Sequence, residues 1–110
     1  MAVRLVHAFE TLLQDLVAEE EISPDVATVG AKVVRALPFE VRAPHPLPAA
    51  GALVLEWSLG SHLAELEILP DLTLRFVIDI GDLQEEGKLE GLRGRDAGAF
   101  FGLVCRHFTW

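Results

Sequence analysis

The chain contains a single cysteine, Cys105, and no tyrosine. One thiol cannot close a disulfide within the chain, so packing has to hold the fold, and a reducing, cytoplasmic setting is expected. Cys105 lies two residues before His107. Because side chains two apart on a helix point in different directions, the sequence predicts a buried structural thiol here and not a catalytic pair.

Basic residues are also few, with nine Lys and Arg against 17 Asp and Glu, for a net charge of -8. Nucleic acids and anionic membranes are bound through cationic surface. Direct binding to either is therefore not expected. The charge fits a basic protein partner, and it also fits the simpler interpretation that acidity keeps a small protein in solution.

Long apolar runs are missing as well, and none approaches the roughly 20 residues that cross a bilayer. Residues 1–9 include Arg4 and His7, which argues against a signal peptide. The hydrophobic content of 51% is enough for a core without a metal or a disulfide. We expect residues 1–110 to form one domain of a soluble, cytoplasmic protein.

The strongest pattern is a period-two alternation in three stretches of residues 53–80, where almost every second side chain is apolar. Period-two alternation predicts strands that are buried on one side. The short breaks at Gly60-Ser61 and Pro70-Asp71 predict an antiparallel meander. The core-facing positions are Leu53, Leu55, Trp57 and Leu59, then His62, Ala64, Leu66 and Ile68, then Leu72, Leu74, Phe76, Ile78 and Ile80.

The register of the first hairpin follows from its turn. If Gly60-Ser61 is a two-residue loop, Leu59 faces His62 and Trp57 faces Ala64. On the other face Glu56 then lies directly opposite Glu65, where two carboxylates repel each other. On the next strand, Arg75 is the nearest cation and is expected beside either Glu65 or Glu67.

Helical spacing of apolar residues flanks this meander. A helix is predicted over residues 3–20, with Leu5 and Phe9 on its apolar stripe, and a second from Ser23-Pro24-Asp25 to Pro38. Gly30 is expected to let the second helix approach the first. A third helix is predicted from Asp96 onward, and its Gly98 and Gly102 are expected to admit a neighbouring backbone.

Three segments between these elements carry weaker signals. Residues 39–42 suggest a short edge strand. Residues 43–51, with three prolines, predict a stiff extended loop, and the polar, glycine-containing residues 81–95 predict a mobile loop. The predicted fold is therefore α+β, with two N-terminal helices and one C-terminal helix on one face of a three- or four-stranded antiparallel meander.

The open face of the meander gathers the candidate site. A flat face does not exclude water, which disfavours catalysis by its carboxylates, and a metal site or a plain solvated face remain alternatives. Ordered charges on a flat sheet favour a steered protein interface. The candidate partner-binding residues are Glu56, Glu65, Glu67, Arg75 and Asp79.

Other chemistry finds little support in the sequence. The four histidines have no zinc spacing, no serine lies in a nucleophile elbow, and Gly91 to Arg95 is a weak anion loop without a lysine. We therefore predict no catalytic residues, no metal and no cofactor, and do not expect an enzyme.

The hairpin from Leu55-Glu56-Trp57 through Gly60 to Glu65–Ile68, followed by a turn at Pro70-Asp71, resembles small uncharacterised prokaryotic proteins with a tryptophan strand and an acidic strand. The resemblance covers about a quarter of the chain, and Leu72 stands where such a turn commonly carries glycine. It implies an α+β fold and no catalytic residues. The sequence as a whole favours a small interaction protein of the antitoxin, immunity-protein or inhibitor class. A homo-oligomeric accessory or structural subunit is the alternative, with a dimer as one form of self-association, and a small enzyme ranks third.

Overall fold

The fold was analysed in a computed structural model that describes the backbone of residues 3–110 and the side chains of residues 7–110. It is an α+β fold in which two helices precede a five-stranded antiparallel meander and one helix follows it. Neighbouring strands in the sheet are consecutive in the chain. The elements are α1 (Val3–Ala18), α2 (Pro24–Ala36), β1 (His45–Ala49), β2 (Ala52–Leu59), β3 (His62–Ile68), β4 (Leu74–Ile80), β5 (Leu83–Leu89) and α3 (Arg95–His107).

The predicted start of α2 is confirmed. The Ser23 hydroxyl accepts a hydrogen bond from the Val26 N–H at 3.1 Å, and Pro24 opens the first turn. These contacts satisfy one of the amides that a helix leaves unpaired at its start. The first helix ends at Ala18, two residues before the predicted end, and Glu20 has a φ of 59°. Leu5 lies outside the described side chains.

The predicted register of the central hairpin is also confirmed. Trp57 pairs with Ala64, Leu59 with His62, and Glu56 with Glu65. Gly60, with a φ of 60°, supplies the left-handed residue that a two-residue hairpin loop requires. The next pairing places Arg75 opposite Glu67, which settles the choice that the sequence left open.

The sheet has five strands, whereas three or four were predicted. The difference arises because both flanking segments predicted as loops contain a strand. The proline segment holds β1, which pairs with β2, and the polar segment holds β5, which pairs with β4. Both are edge strands. Prolines and charged residues are common at sheet edges, where they limit pairing with other chains. The loop predictions for residues 43–51 and 81–95 are therefore wrong.

One face of the sheet carries the core, and the helices pack on it. Trp57 is 1% exposed, donates its indole N–H to the Arg42 carbonyl at 3.0 Å, and meets the Phe100 ring of α3 edge-on at 6.1 Å. Phe9 and Leu13 bring α1 into the same core. Burying such side chains is the main stabilising term of the fold.

The glycines within the helices do not have the neighbours that the sequence predicted. A Cβ on Gly30 would lie 2.7 Å from Leu53 of the sheet and 3.5 Å from Leu13 of α1, so this glycine allows α2 to approach the sheet more than the first helix. A Cβ on Gly98 or Gly102 would meet nothing within 4 Å. The expectation that these two glycines admit a neighbouring backbone is wrong.

Residues 39–42 do not form an edge strand of the sheet. Val41 instead makes an isolated antiparallel bridge to Thr109. The Arg42 N–H donates to the Phe108 carbonyl at 2.8 Å, and the Trp110 N–H donates to the Glu40 carbonyl at 3.0 Å. We call these two segments, 40–42 and 108–110, the clasp, since they tie the end of the chain to the segment between α2 and β1.

The third helix begins at Arg95, one residue before the predicted start, and its N-cap Gly94 offers no side chain to the helix. Among the described helices, none is both long and apolar enough to cross a membrane.

Candidate functional site

The face of the sheet turned away from the helices, which we call the open face, carries the predicted site. On β2 it presents Val54 and Glu56, which alternate with the buried Leu53, Leu55 and Trp57. The same alternation continues through β3 and β4, whose open-face side chains are partly or fully exposed. The described helices pack on the opposite face, so this face is available to a partner.

Strand pairing arranges the open face in rows that run across the strands. Because directly paired residues share a face of the sheet, the register gives each row's order. We call the first the acidic row and the second the mixed row. The acidic row is His45, Glu56, Glu65, Val77 and Glu86, and the mixed row is Leu47, Val54, Glu67, Arg75 and Lys88.

All five predicted site residues lie on this face. Glu56 and Glu65 are directly opposite each other in the acidic row, and Glu67 and Arg75 are directly opposite each other in the mixed row. Asp79 pairs with Leu63 in the next row, beyond Val77. The structure therefore brings the four carboxylates and the arginine onto one surface.

Charge on the acidic row is not balanced locally. Burial raises the pKa of the Glu65 carboxyl, and the negative charges of Glu56 and Glu67 raise it further. Within the described side chains, the only salt bridge joins Arg35 to Glu10, so Arg75 makes no ion pair with these carboxylates. Glu65 is thus a carboxylate whose ionised form is disfavoured in the free protein.

Sequence reasoning missed four residues of the open face. His45 and Leu47 belong to β1, and Glu86 and Lys88 belong to β5, the two strands that were expected to be loops. Alternation could not reveal them, because β1 alternates with prolines and β5 has exposed side chains on both faces. Their addition makes the face wider and gives it a second cation beside Arg75.

The middle of the open face is a shallow depression of about 280 Å³. Its lining holds three apolar side chains, three carboxylates and one cation: Val54, Phe76, Val77, Glu65, Glu67, Glu86 and Arg75. Such a surface suits a lysine or arginine side chain, whose aliphatic stem packs on apolar groups while its charged end meets the carboxylates.

Two histidines that are far apart in the chain come together in the fold. The rings of His62, at the start of β3, and His107, at the end of α3, have centroids 5.5 Å apart. Within the described part of the chain, no three His, Cys, Asp or Glu side chains are grouped as a metal site would need. Structural zinc sites use four protein ligands and catalytic ones three, so this pair falls short of either.

The thiol of Cys105 lies in an apolar groove of about 190 Å³ between α2 and α3. It is half-buried, whereas the sequence predicted a buried thiol. Burial and the charge of Glu40 raise its pKa, which lowers the thiolate fraction. His107, two residues further along the chain, lies against the His62 ring.

Comparisons with known proteins do not assign a role to this surface. No family model, no curated protein and no solved structure matches the chain at a significant level.

Proposed function

We propose that the protein is a small cytoplasmic interaction module that binds a basic protein partner through its open face. The carrying observation is the direct pairing of Glu56 with Glu65 at the centre of an uncovered sheet. Like charges directly opposite each other on adjacent strands destabilise a sheet. A partner cation placed between them would remove this cost, so the arrangement favours binding.

The burial of Glu65 strengthens this argument. Its carboxyl has a raised pKa because it is partly desolvated and lies near Glu56 and Glu67. A lysine or arginine side chain that reaches it would favour the ionised form, so binding of such a side chain is coupled to loss of any proton held there. Complementary charge also speeds association between proteins.

The shape of the face supports binding over catalysis. The carboxylates of Glu56, Glu65 and Glu67 lie on partly exposed residues, so water reaches them. General acid–base catalysis by carboxylates works best where water is excluded. Antitoxin, immunity-protein and inhibitor roles are the classes of function that a small acidic binding face of this kind serves.

The test compares two charge-matched double variants. Glu56→Gln with Glu65→Gln removes two charges from the open face. The control, called the α1 variant, is Asp15→Asn with Glu19→Gln, which removes two exposed charges at the end of α1 and just after it. A cross-linked and identified partner is then used to measure association rates with each protein at low salt. We expect the open-face variant to associate more slowly, since steering by complementary charge acts mainly on that rate.

The α1 variant should associate at the rate of the parent. Equal rates for the open-face variant and the parent would place the docking surface elsewhere. A loss limited to the α1 variant would assign docking to the helix surface.

A further inference from the structure

The two edges of the sheet differ in their ability to accept another strand. Ala50 and Gly51, with φ values of 52° and 86°, form the two-residue loop between β1 and β2. A loop of this type joins a hydrogen-bonded pair, here Ala49 and Ala52, and such pairs recur at every second residue. Pro46 and Pro48 belong to the pairs in between, so their backbone nitrogens point away from β2, toward the outer edge of the sheet. Since proline has no N–H, the outer edge of β1 offers no donor from either position.

The other edge, β5, contains no proline. Gly81, with a φ of 60°, opens the two-residue loop that joins Ile80 to Leu83. By the same alternation, the backbone N–H and C=O groups of Leu83, Glu85, Gly87 and Leu89 hydrogen-bond to β4. The backbone N–H and C=O groups of Gln84, Glu86 and Lys88 then point away from β4, and β5 is the last strand in the described sheet order.

Charge favours one of the three registers in which this edge pairs with itself about residue 86, 87 or 88. About a two-fold axis perpendicular to the sheet, β5 of one copy runs antiparallel to β5 of another, and both sets of helices stay on the same side. With the axis at Glu86, this glutamate faces its own copy, and with the axis at Lys88, the lysine does. With the axis at Gly87, Glu86 of each copy faces Lys88 of the other, and two opposite-charge pairs form.

The rows of the open face lead to the same register. In the register centred on Gly87, the acidic row of one copy continues at Glu86 into Lys88 and Arg75 of the mixed row of the second copy. The cations that lie at the β5 end of the mixed row therefore come beside the unbalanced end of the acidic row. We propose that β5 is a self-association edge, and that a second copy of this chain pairs with it antiparallel about Gly87.

The pairing would extend the five-stranded sheet of each copy into one continuous sheet, with the two open faces side by side. It does not depend on the function proposed above, because it involves the pure protein alone. It also differs from a dimer held by apolar helix faces, since its specificity comes from backbone pairing and from one charged pair used twice.

A charge-swap cycle tests the register. Sedimentation velocity at physiological salt measures the dimer dissociation constant of the parent, Glu86→Lys, Lys88→Glu and the double swap. Each single reversal places like charges together at both symmetry-related positions. We expect it to weaken the dimer by roughly tenfold or more, and the double swap to restore it. Glu85→Lys is the matched control, because it reverses the same charge one residue away on the opposite face, where it meets Leu89 of the second copy.

A measurement without variants guards against misfolding of the swapped proteins. Hydrogen exchange of the parent should slow at the amides of Glu86 and Lys88, which pair with the second copy in this register, as protein concentration rises. A parent that stays monomeric at millimolar concentration would overturn the proposal. So would a dimer that survives both reversals, one that the double swap of a folded protein does not restore, or one whose β5 amides exchange at the same rate at all concentrations.

Discussion

Leu72 occupies the left-handed region of backbone space, with a φ of 69°. Non-glycine residues pay roughly 1–2 kcal/mol there, because Cβ approaches the following carbonyl oxygen. The turn is held by the Asp71 carboxylate, which accepts the Thr73 N–H at 2.9 Å, and this hydrogen bond lowers the pKa of Asp71. Glycine has no Cβ and would avoid this cost, so the backbone geometry gives a physical reason for a turn of this kind to favour glycine at position 72.

The raised pKa of Glu65 predicts how its replacement changes stability with pH. Because the folded state holds the proton more tightly than the unfolded chain, this carboxyl reduces stability as pH rises from its ordinary value of 4.5 through the folded value. Glu65→Gln removes this cost. We expect a gain of up to about half a kcal/mol at neutral pH that vanishes below the ordinary value.

Urea unfolding of the parent and of Glu65→Gln across this pH range measures the difference. Asp15→Asn, at an exposed position of α1, is the control and should show no comparable gain. A gain that stays constant with pH would attribute the effect to packing, and a loss of stability at neutral pH would contradict the role assigned to Glu56 and Glu67.

At the level of elements, the sequence predicted only the strands that have one buried face and one face in contact with water. Strands β2 to β4 alternate because one face meets the helices and the other meets water, and so their register could be derived from Gly60 and the apolar positions. The edge strands have no such contrast. Pro46 and Pro48 in β1 look like loop residues, and they are tolerated only because their missing N–H groups point outward.

The candidate site was predictable to the same extent. Glu56, Glu65 and Glu67 could be placed together because their strands alternate, whereas Glu86 and Lys88 depended on the unrecognised strand β5. Contacts between distant elements left no local pattern at all. The His62–His107 contact depends on the packing of α3, which no spacing within the chain reveals.

The packing of α2 on the sheet gives a prediction at this scale. A Cβ on Gly30 would lie 2.7 Å from the Leu53 side chain, which is fully buried and has little room to move. Overpacking of a core typically costs about 1–3 kcal/mol. The better helix propensity of alanine offsets up to about 1 kcal/mol of this. We therefore expect Gly30→Ala to lower the free energy of unfolding by roughly 1–2 kcal/mol.

Gly102→Ala is the matched control for this change. It lies inside α3 with no atom within 4 Å of the added methyl group, so alanine should raise stability by up to about 1 kcal/mol. Thermal or urea unfolding of both variants distinguishes the two cases. A neutral or stabilising Gly30→Ala would mean that α2 and the sheet can separate slightly at no cost.

On the scale of the whole molecule, the sheet is built from pairing between consecutive strands, whereas the clasp is built from contacts between distant segments. The sheet is a pure meander, so every strand pairs with its neighbour in the chain. The clasp, in contrast, joins a segment before β1 to a segment after α3, as in the hydrogen bond from the Arg42 N–H to the Phe108 carbonyl. Closing a long loop costs more entropy than closing a hairpin. We infer that the meander forms before the clasp during folding.

This order predicts distinct kinetic effects for two core residues. Phe108 is a fully buried residue of the clasp, and Phe108→Ala should destabilise the protein by about 3–5 kcal/mol. If the clasp forms after the transition state, nearly all of this loss appears as faster unfolding. Leu66→Ala should instead slow folding markedly, because Leu66 lies in the central strand of the meander, where it pairs with Leu55 and Phe76.

Stopped-flow folding and unfolding in urea measures both rates for each variant. Each substitution removes a large side chain from the same core. A difference in their folding rates therefore reports which region becomes ordered first. If Phe108→Ala slowed folding as much as Leu66→Ala, the clasp would already be present in the transition state. The chain would then fold by bringing its distant segments together early, despite the entropy of closing so long a loop.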